Sequence, residues 1–348
     1  MTQALKMVWI DDDPGRVSAN GWDKILRDGV DSLDATGVLE VFPVSEKVLE
    51  FLDDWAQRVH DAPPDLVLLD HNLSRVPSRQ FGIKGSSLAH LLRLRLPKTP
   101  IVCVTAQEVE SHDFDFEDLS EYTQVFSFSR LSNSDQLEAL FVVAKDYPRV
   151  CVSEALSARK AILDALAPPA YDRDSLFAVM PEEFEGRVVH GTTPHRIARW
   201  IINVLMSRPG FLSDQLDVAT YLGLSEAAFL TKAKALFDSA KYTGPFATPS
   251  RPRWWTSALN DVLYTHLPDH TGLPPQRAGR RLTGVVAEDF SSCFVSETVE
   301  PPPDIVAFTD EHGNERRQVR RQFTEPFAPD SMLGFAPRLR IHDDRPRG

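Results

Sequence analysis

Cysteine is scarce in this chain: Cys103, Cys151 and Cys293 are the only three in 348 residues, and no two form a C-x-x-C pair. That excludes a disulfide-stapled scaffold and a zinc site built on Cys/His sets, and a reducing cytoplasm is the expected compartment. No apolar run approaches the roughly 18 residues of a membrane span. No charged–apolar–small leader opens the chain, so neither secretion nor membrane insertion is expected. A phosphate loop, a G-x-S-x-G elbow and kinase motifs are all missing; Gly82–Ser87 (GIKGSS) lacks the spacing of the first. Internal repeats and low-complexity tracts are absent too.

A surplus of basic charge is also lacking. The net charge is −12, and residues 1–148 hold 25 Asp and Glu against 14 Lys and Arg. Residues 149–348 hold 25 against 24. The acidic half would repel a nucleic-acid backbone, whereas the neutral half points neither toward DNA nor away from it.

What is present is an ordinary globular composition, 42% hydrophobic and 25% charged, over a length that suits two domains. The first 148 residues alternate strand-like runs with helical patterns, which predicts a parallel α/β sheet. Strands are expected at 6–10, 38–44, 65–69, 101–104 and 125–128. Helices are expected within 14–35, over 48–59 on the stripe Val48, Leu52, Trp55, Val59, and after the loop 74–85 with Leu88, Leu91 and Leu92 on one side. A last helix opens at Ser132-x-x-Asp135 and turns Leu137, Leu140, Phe141 and Ala144 inward. Residues 107–122 are acidic and show no clean stripe. This is the content of a flavodoxin-like fold with five strands. Pro148 is taken as the hinge between domains at 1–148 and 149–348.

Three apolar runs end on chemistry. Met7–Ile10 leads to Asp11-Asp12-Asp13, Leu66–Leu69 to Asp70, and Ile101–Val104 to Thr105. In an open parallel sheet, ligands gather outside the carboxyl ends of the strands. Three acids, a hydroxyl and a cation, Arg130, would then share one pocket. The segments "WIDDDP", "PDLVLLDHNLS" and "PIVCVTA" resemble, in order and spacing, the receiver domain of two-component response regulators. The resemblance implies that Asp70 is the phosphoryl acceptor. It further implies that Asp11, Asp12, Asp70 and the backbone carbonyl of Asn72 hold Mg²⁺, and that Thr105 and a cation contact the phosphoryl oxygens. A histidine kinase or phosphotransfer protein would be the donor, and the only catalysis expected is the domain's own phosphorylation and dephosphorylation. Two positions depart from the family: Arg130 stands where a lysine is usual, and Ser127 where an aromatic switch residue is usual.

The second half resembles no family. Helices are expected at 153–166, 194–207, 214–222, 226–240 and 254–266, then strands at 294–299, 305–309 and 318–323. Trp254-Trp255 is assigned to the core. Residues 214–240 have a helix-turn-helix flavour, with two packed helices as the blander reading. Arg316, Arg317, Arg320 and Arg321 alternate on a strand and are taken as a solvated edge rather than a phosphate strip. His266 and His270 are separated by Pro268, which spoils a metal pair. The functional expectation is a phosphorylated regulator acting through an output partner. Alternatives are a pseudo-receiver scaffold, motivated by Arg130 and Ser127, and a DNA-binding regulator using 214–240.

Overall fold

A computed structural model describes residues 5–32, 37–43, 63–73, 83–105, 119–131, 133–151, 158–184, 192–293, 305–309, 316–326, 335–336 and 339–341. The expected helix at 48–59, the acidic stretch up to 118 and the strand at 294–299 lie outside the described residues. The chain divides into two compact units, 1–165 with 182–201, and 166–181 with 202–348.

The first unit is built on a parallel sheet. Strand β1 (Leu5–Asp11) is followed by helices α1 (Pro14–Ala19) and α2 (Trp22–Ser32), parted at Gly21, whose φ of +68° suits glycine. Then come β2 (Gly37–Pro43), β3 (Leu66–Leu69), α3 (Gly85–Arg95), β4 (Ile101–Thr105), β5 (Gln124–Ser127), the single turn α4 (Phe128–Leu131) and α5 (Ser134–Val150). The spatial order is β2-β1-β3-β4-β5, and every pairing is parallel. Burial explains the strands: β1 from Met7 onward, β3 and β4 read as continuous apolar runs because both faces are covered. Val8, Ile10, Val67, Leu69, Ile101 and Cys103 share one face, against which Leu88, Ala89 and Leu92 of α3 pack.

Three expectations are corrected here. Leu91 faces outward at 37% exposure, and Ala89 takes the inward place. The register of α3 follows the three buried side chains nearest the sheet rather than every leucine. Pro148 is not a break: α5 runs through it to Val150, and the Cys151 N–H closes the end on the Pro148 carbonyl. A proline so near a helix C-terminus removes a single N–H bond and is tolerated where tertiary packing holds the last turn. Tyr147 and Val150, both buried, supply that packing. Finally, the first unit extends past 148. Helix α6 (Ala158–Leu166) continues it, α7 (Arg173–Val179) belongs to the second unit, and α8 (Thr192–Trp200) returns to pack on α5.

Helix α8 is stitched to the turn before β5. The His195 ring Nε2 donates to the Ser120 carbonyl at 2.9 Å, which leaves Nδ1 as the acceptor for the Thr123 hydroxyl at 3.2 Å. Arg199 donates to the carbonyls of Leu119 and Tyr122. Burial, with Arg93 and Arg199 nearby, lowers the His195 pKa to about 3.

In the second unit, β6 (Leu212–Ser213) pairs antiparallel with β7 (Trp254–Trp255), and α9 (Gln215–Tyr221) lies between them in sequence. Residues 226–240 are helical throughout, starting with α10 (Glu226–Ala228) and passing through a widened and then a tightened turn. Helices α11 (Thr256–His266) and α12 (Pro275–Gly279) complete a core around Trp254, Phe229, Phe237, Leu259 and Leu263. Strands β8 (Ile305–Thr309) and β9 (Arg316–Arg320) form an antiparallel hairpin over Cys293, and β8 contacts α9.

Candidate functional site

Register brings the acidic residues together. Ile10 pairs with Leu69, and Leu69 with Cys103, so Asp11 and Asp70 leave their strands at the same level. The Asp70 N–H donates to the Ile10 carbonyl at 3.1 Å, which extends the ladder by one residue and holds Asp70 beside Asp11. In this strand order the direction of winding reverses between β1 and β3, and a crevice opens at that point. Thr105 pairs with Ser127 on the same carboxyl edge.

Asp11, Asp70 and Thr105 are buried and Asp12 is half-buried. Carboxylate oxygens of Asp11, Asp12 and Asp70 all lie within 4.8 Å of one another. At that spacing each pair of charges repels by roughly 3 kcal/mol at an effective dielectric of about 20. Three such pairs make the fully ionised cluster costly without a compensating cation. The donors are all oxygen, which suits a hard divalent cation and not zinc or copper.

The surrounding backbone shapes the cluster. The Asp13 N–H donates to Asp11 Oδ1 at 2.7 Å, and the Asn72 N–H approaches Asp70 Oδ1 at 3.4 Å. Asn72 itself is exposed and pairs with Lys84 in a short antiparallel ladder, Asn72-Leu73 against Ile83-Lys84. Arg130 is half-buried on α4, one turn past Ser127. Ser127 is buried, with its hydroxyl 2.7 Å from that of Ser129. Burial and the Asp70 charge together push the Cys103 thiol well above its ordinary pKa, so it is an inert core group.

Several residues that shape the site were not singled out from sequence. Gly85 is one: a Cβ there would sit 2.2 Å from the Asp70 carbonyl and 2.6 Å from the Tyr122 hydroxyl. The first residue of α3 therefore has to lack a side chain for the helix to close on the strand that carries Asp70. His71 Nδ1 lies 3.2 Å from the Tyr122 hydroxyl, and the Gly85 N–H donates to the His71 carbonyl at 2.8 Å. Trp9, Trp22 and Phe128 stack, the last two with centroids 3.7 Å apart, and so tie β1, α2 and the end of β5 together. The sequence signal was slight: a Gly-Ser at a helix start and aromatics beside strand ends.

In the second unit, the segment 214–240 does form two helices around Gly223, whose φ is +69°. The second carries Glu226 and Asp238 beside Lys232 and Lys234, and Lys232 is bound to Asp289. That balance gives a phosphate backbone little to hold. Among the described residues, no helix is long and apolar enough to cross a membrane.

No family model matches the sequence, and no curated protein does. Among solved structures, the chain is similar to a response regulator protein from Burkholderia pseudomallei, crystallised with a phosphorylated aspartic acid, a calcium ion and citrate. That match has 14% identity and a TM-score of 0.27, and it covers 50% of this chain and 90% of the other.

Proposed function

We propose that the first unit is a receiver-like signalling module in which Asp70 accepts a phosphoryl group. The observation that supports this most is the convergence of three carboxylates, from the ends of two adjacent parallel strands, within 4.8 Å. Asp11 and Asp12, with Asp70 and the Asn72 carbonyl, would hold Mg²⁺. The donor set fits, being all oxygen and strongly acidic. When bound, the ion would offset the repulsion between carboxylates and an incoming phosphate.

The chain's own residues would do the rest. An Asp70 carboxylate oxygen attacks phosphorus, and the bond to the leaving group breaks. With a phosphohistidine donor, the departing imidazole takes up a proton. The Thr105 hydroxyl and the Arg130 guanidinium would take equatorial phosphoryl oxygens. Arginine can do this with two parallel N–H bonds, although its fork is larger than an ammonium. Water later attacks phosphorus, and Asp70 is restored with release of inorganic phosphate.

The donor would be a histidine kinase or a phosphotransfer protein, and the readout a change in contacts with an output partner. Incubation of the full chain with Mg²⁺ and phosphoramidate or acetyl phosphate, followed by intact mass, tests the proposal. A gain of one phosphoryl group that disappears in Asp70→Asn is the expected result. Folded protein that gains nothing from either small donor overturns it, and leaves the pseudo-receiver scaffold as the reading of the same pocket.

A further inference from the structure

A cavity lies wholly within the second unit, with a volume of about 570 Å³, inside the range of small-molecule sites. Strand β8 forms one wall: Ile305, Val306 and Ala307 line the cavity, and Val306 is buried with Phe308, Cys293 and Val319. On β9, Arg316 and Gln318 share a face. Gln318 Nε2 donates to Thr220 Oγ1 at 3.0 Å and to the Leu224 carbonyl at 2.7 Å, which pins the hairpin to α9. Arg316 is thereby brought to the start of α9, where it pairs with Asp214 and, at 2.8 Å, with Asp217. Arg253 pairs with the same Asp214 oxygen, Oδ2, at 3.0 Å. The alternating arginines expected as a solvated edge are thus corrected in part: Arg316 is half-buried in an ion-pair network.

Among the described residues, four guanidinium groups line this cavity, from Arg208, Arg253, Arg316 and Arg321, with two carboxylates, Asp214 and Asp217. Asp214 is paired with Arg253 and Arg316, and Asp217 with Arg316, whereas Arg321 makes no ion pair among the described residues. Arg253 Nε is shielded from solvent and has no hydrogen-bond partner among the described residues. Leu212, Ile305 and Leu339 supply an apolar wall, and the Ser213 and Thr256 hydroxyls, 2.7 Å apart, sit on the lining.

We propose that this cavity binds a small phosphate monoester, with its phosphate among the arginines and its organic part on the apolar wall. A phosphate monoester carries about −1.5 to −2 charges at pH 7 and three strong acceptor oxygens, so one group can engage several guanidinium donors at once. A monocarboxylate offers fewer acceptor oxygens to the same donors. Guanidinium forks bind phosphate oxygens bidentately, and removing water from such pairs strengthens them. Burial also raises the Asp217 pKa to about 6 despite the nearby Arg253, so mild acid makes the lining less anionic. This site is independent of the receiver-like reading of the first unit.

Titration calorimetry of the full chain in EDTA tests it, with phenyl phosphate, inorganic phosphate and benzoate as probes. Phenyl phosphate is expected to bind saturably and at least about tenfold more tightly than either of the other two. Arg321 is exposed and makes no ion pair among the described residues, so Arg321→Met should fold normally and weaken binding about tenfold, the cost of one charged hydrogen-bond donor. Arg208→Met is the second variant. Arg281→Met, an exposed arginine off the lining, and Asp70→Asn should leave binding unchanged. The proposal is overturned if folded protein binds no phenyl phosphate at millimolar concentration. It is equally overturned if benzoate or inorganic phosphate binds as well as the ester, or if neither lining variant weakens binding.

Discussion

The two units place charge in opposite ways. In the first, three carboxylates crowd the ends of adjacent parallel strands, so the backbone ladder itself sets their spacing. In the second, arginines from three separate segments converge on a cavity between short elements, and Arg253 and Arg316 are held there by ion pairs with Asp214 and Asp217. A site on strand ends is as rigid as the sheet beneath it. One assembled from a hairpin and two corners depends on contacts among pieces that have no regular partner elsewhere. The first arrangement calls for a cation, the second for an anion.

The largest expected effect is all-or-none. Asp70→Asn should abolish phosphoryl gain from acetyl phosphate while the phenyl phosphate isotherm stays as in wild type. Loss of both in one variant would break the separation between the sites.

Next come two glycines that play the same part in each unit. A Cβ at Gly85 would meet the Asp70 carbonyl at 2.2 Å, and one at Gly279 would meet the Leu222 carbonyl at 2.2 Å. Neither backbone oxygen can swing away, so each alanine should destabilise its own unit by about 3 kcal/mol. Hydrogen exchange read segment by segment is the check: Gly85→Ala should loosen α3 and β3, and Gly279→Ala should loosen α9 and α12. Uniform loosening of both units by either change would count against two independently stabilised cores.

Acidification should move the units in opposite directions. His195 has a native pKa of about 3, against about 6.5 unfolded, so between those values the unfolded chain binds the extra proton. The stability His195 contributes is complete above about pH 6.5 and lost as pH falls, by about 2 kcal/mol at pH 5. Asp217 is the reverse case. Its native pKa near 6 exceeds the unfolded 3.8, so its contribution is greatest at low pH and is lost as pH rises from about 4 to 6. Exchange free energies, corrected for intrinsic rates, should fall for α8 and rise for α9 on going from pH 6.5 to 5. Parallel drift would show that other groups dominate. Asp217→Asn should remove the α9 trend alone.

The smallest effect is that of Arg321→Met on phenyl phosphate binding, about 1.4 kcal/mol for a tenfold loss. Its value lies in specificity, since phosphoryl gain at Asp70 should not change.

Much of the first unit was legible in sequence, and particular residues show why. Asp11, Asp70 and Thr105 each follow a run of four apolar residues, and a doubly covered parallel strand has no other way to be written. The helix start at Gly85 was less readable, because nothing local reveals that a carbonyl stands 2.2 Å away. Leu91 shows a related limit: Leu88, Leu91 and Leu92 have the i, i+3, i+4 spacing of a single helix face, and only packing sets Leu88, Ala89 and Leu92 against the sheet instead. The local chemistry of Pro148 suggests a hinge, yet Tyr147 and Val150 bury the turn that contains it.

By itself, then, the sequence determined where strands end and which acids stand there, since periodicity and strand termination are properties of neighbours in the chain. Tertiary structure decided what those neighbours meet. It returned α8 to the first unit through Thr123 and His195, 72 residues apart. It also turned Arg316 from an edge residue into the partner of Asp217, 99 residues away. Contacts at such separations leave no period in the sequence, because each side chain serves its own element equally well whether or not the distant partner is present.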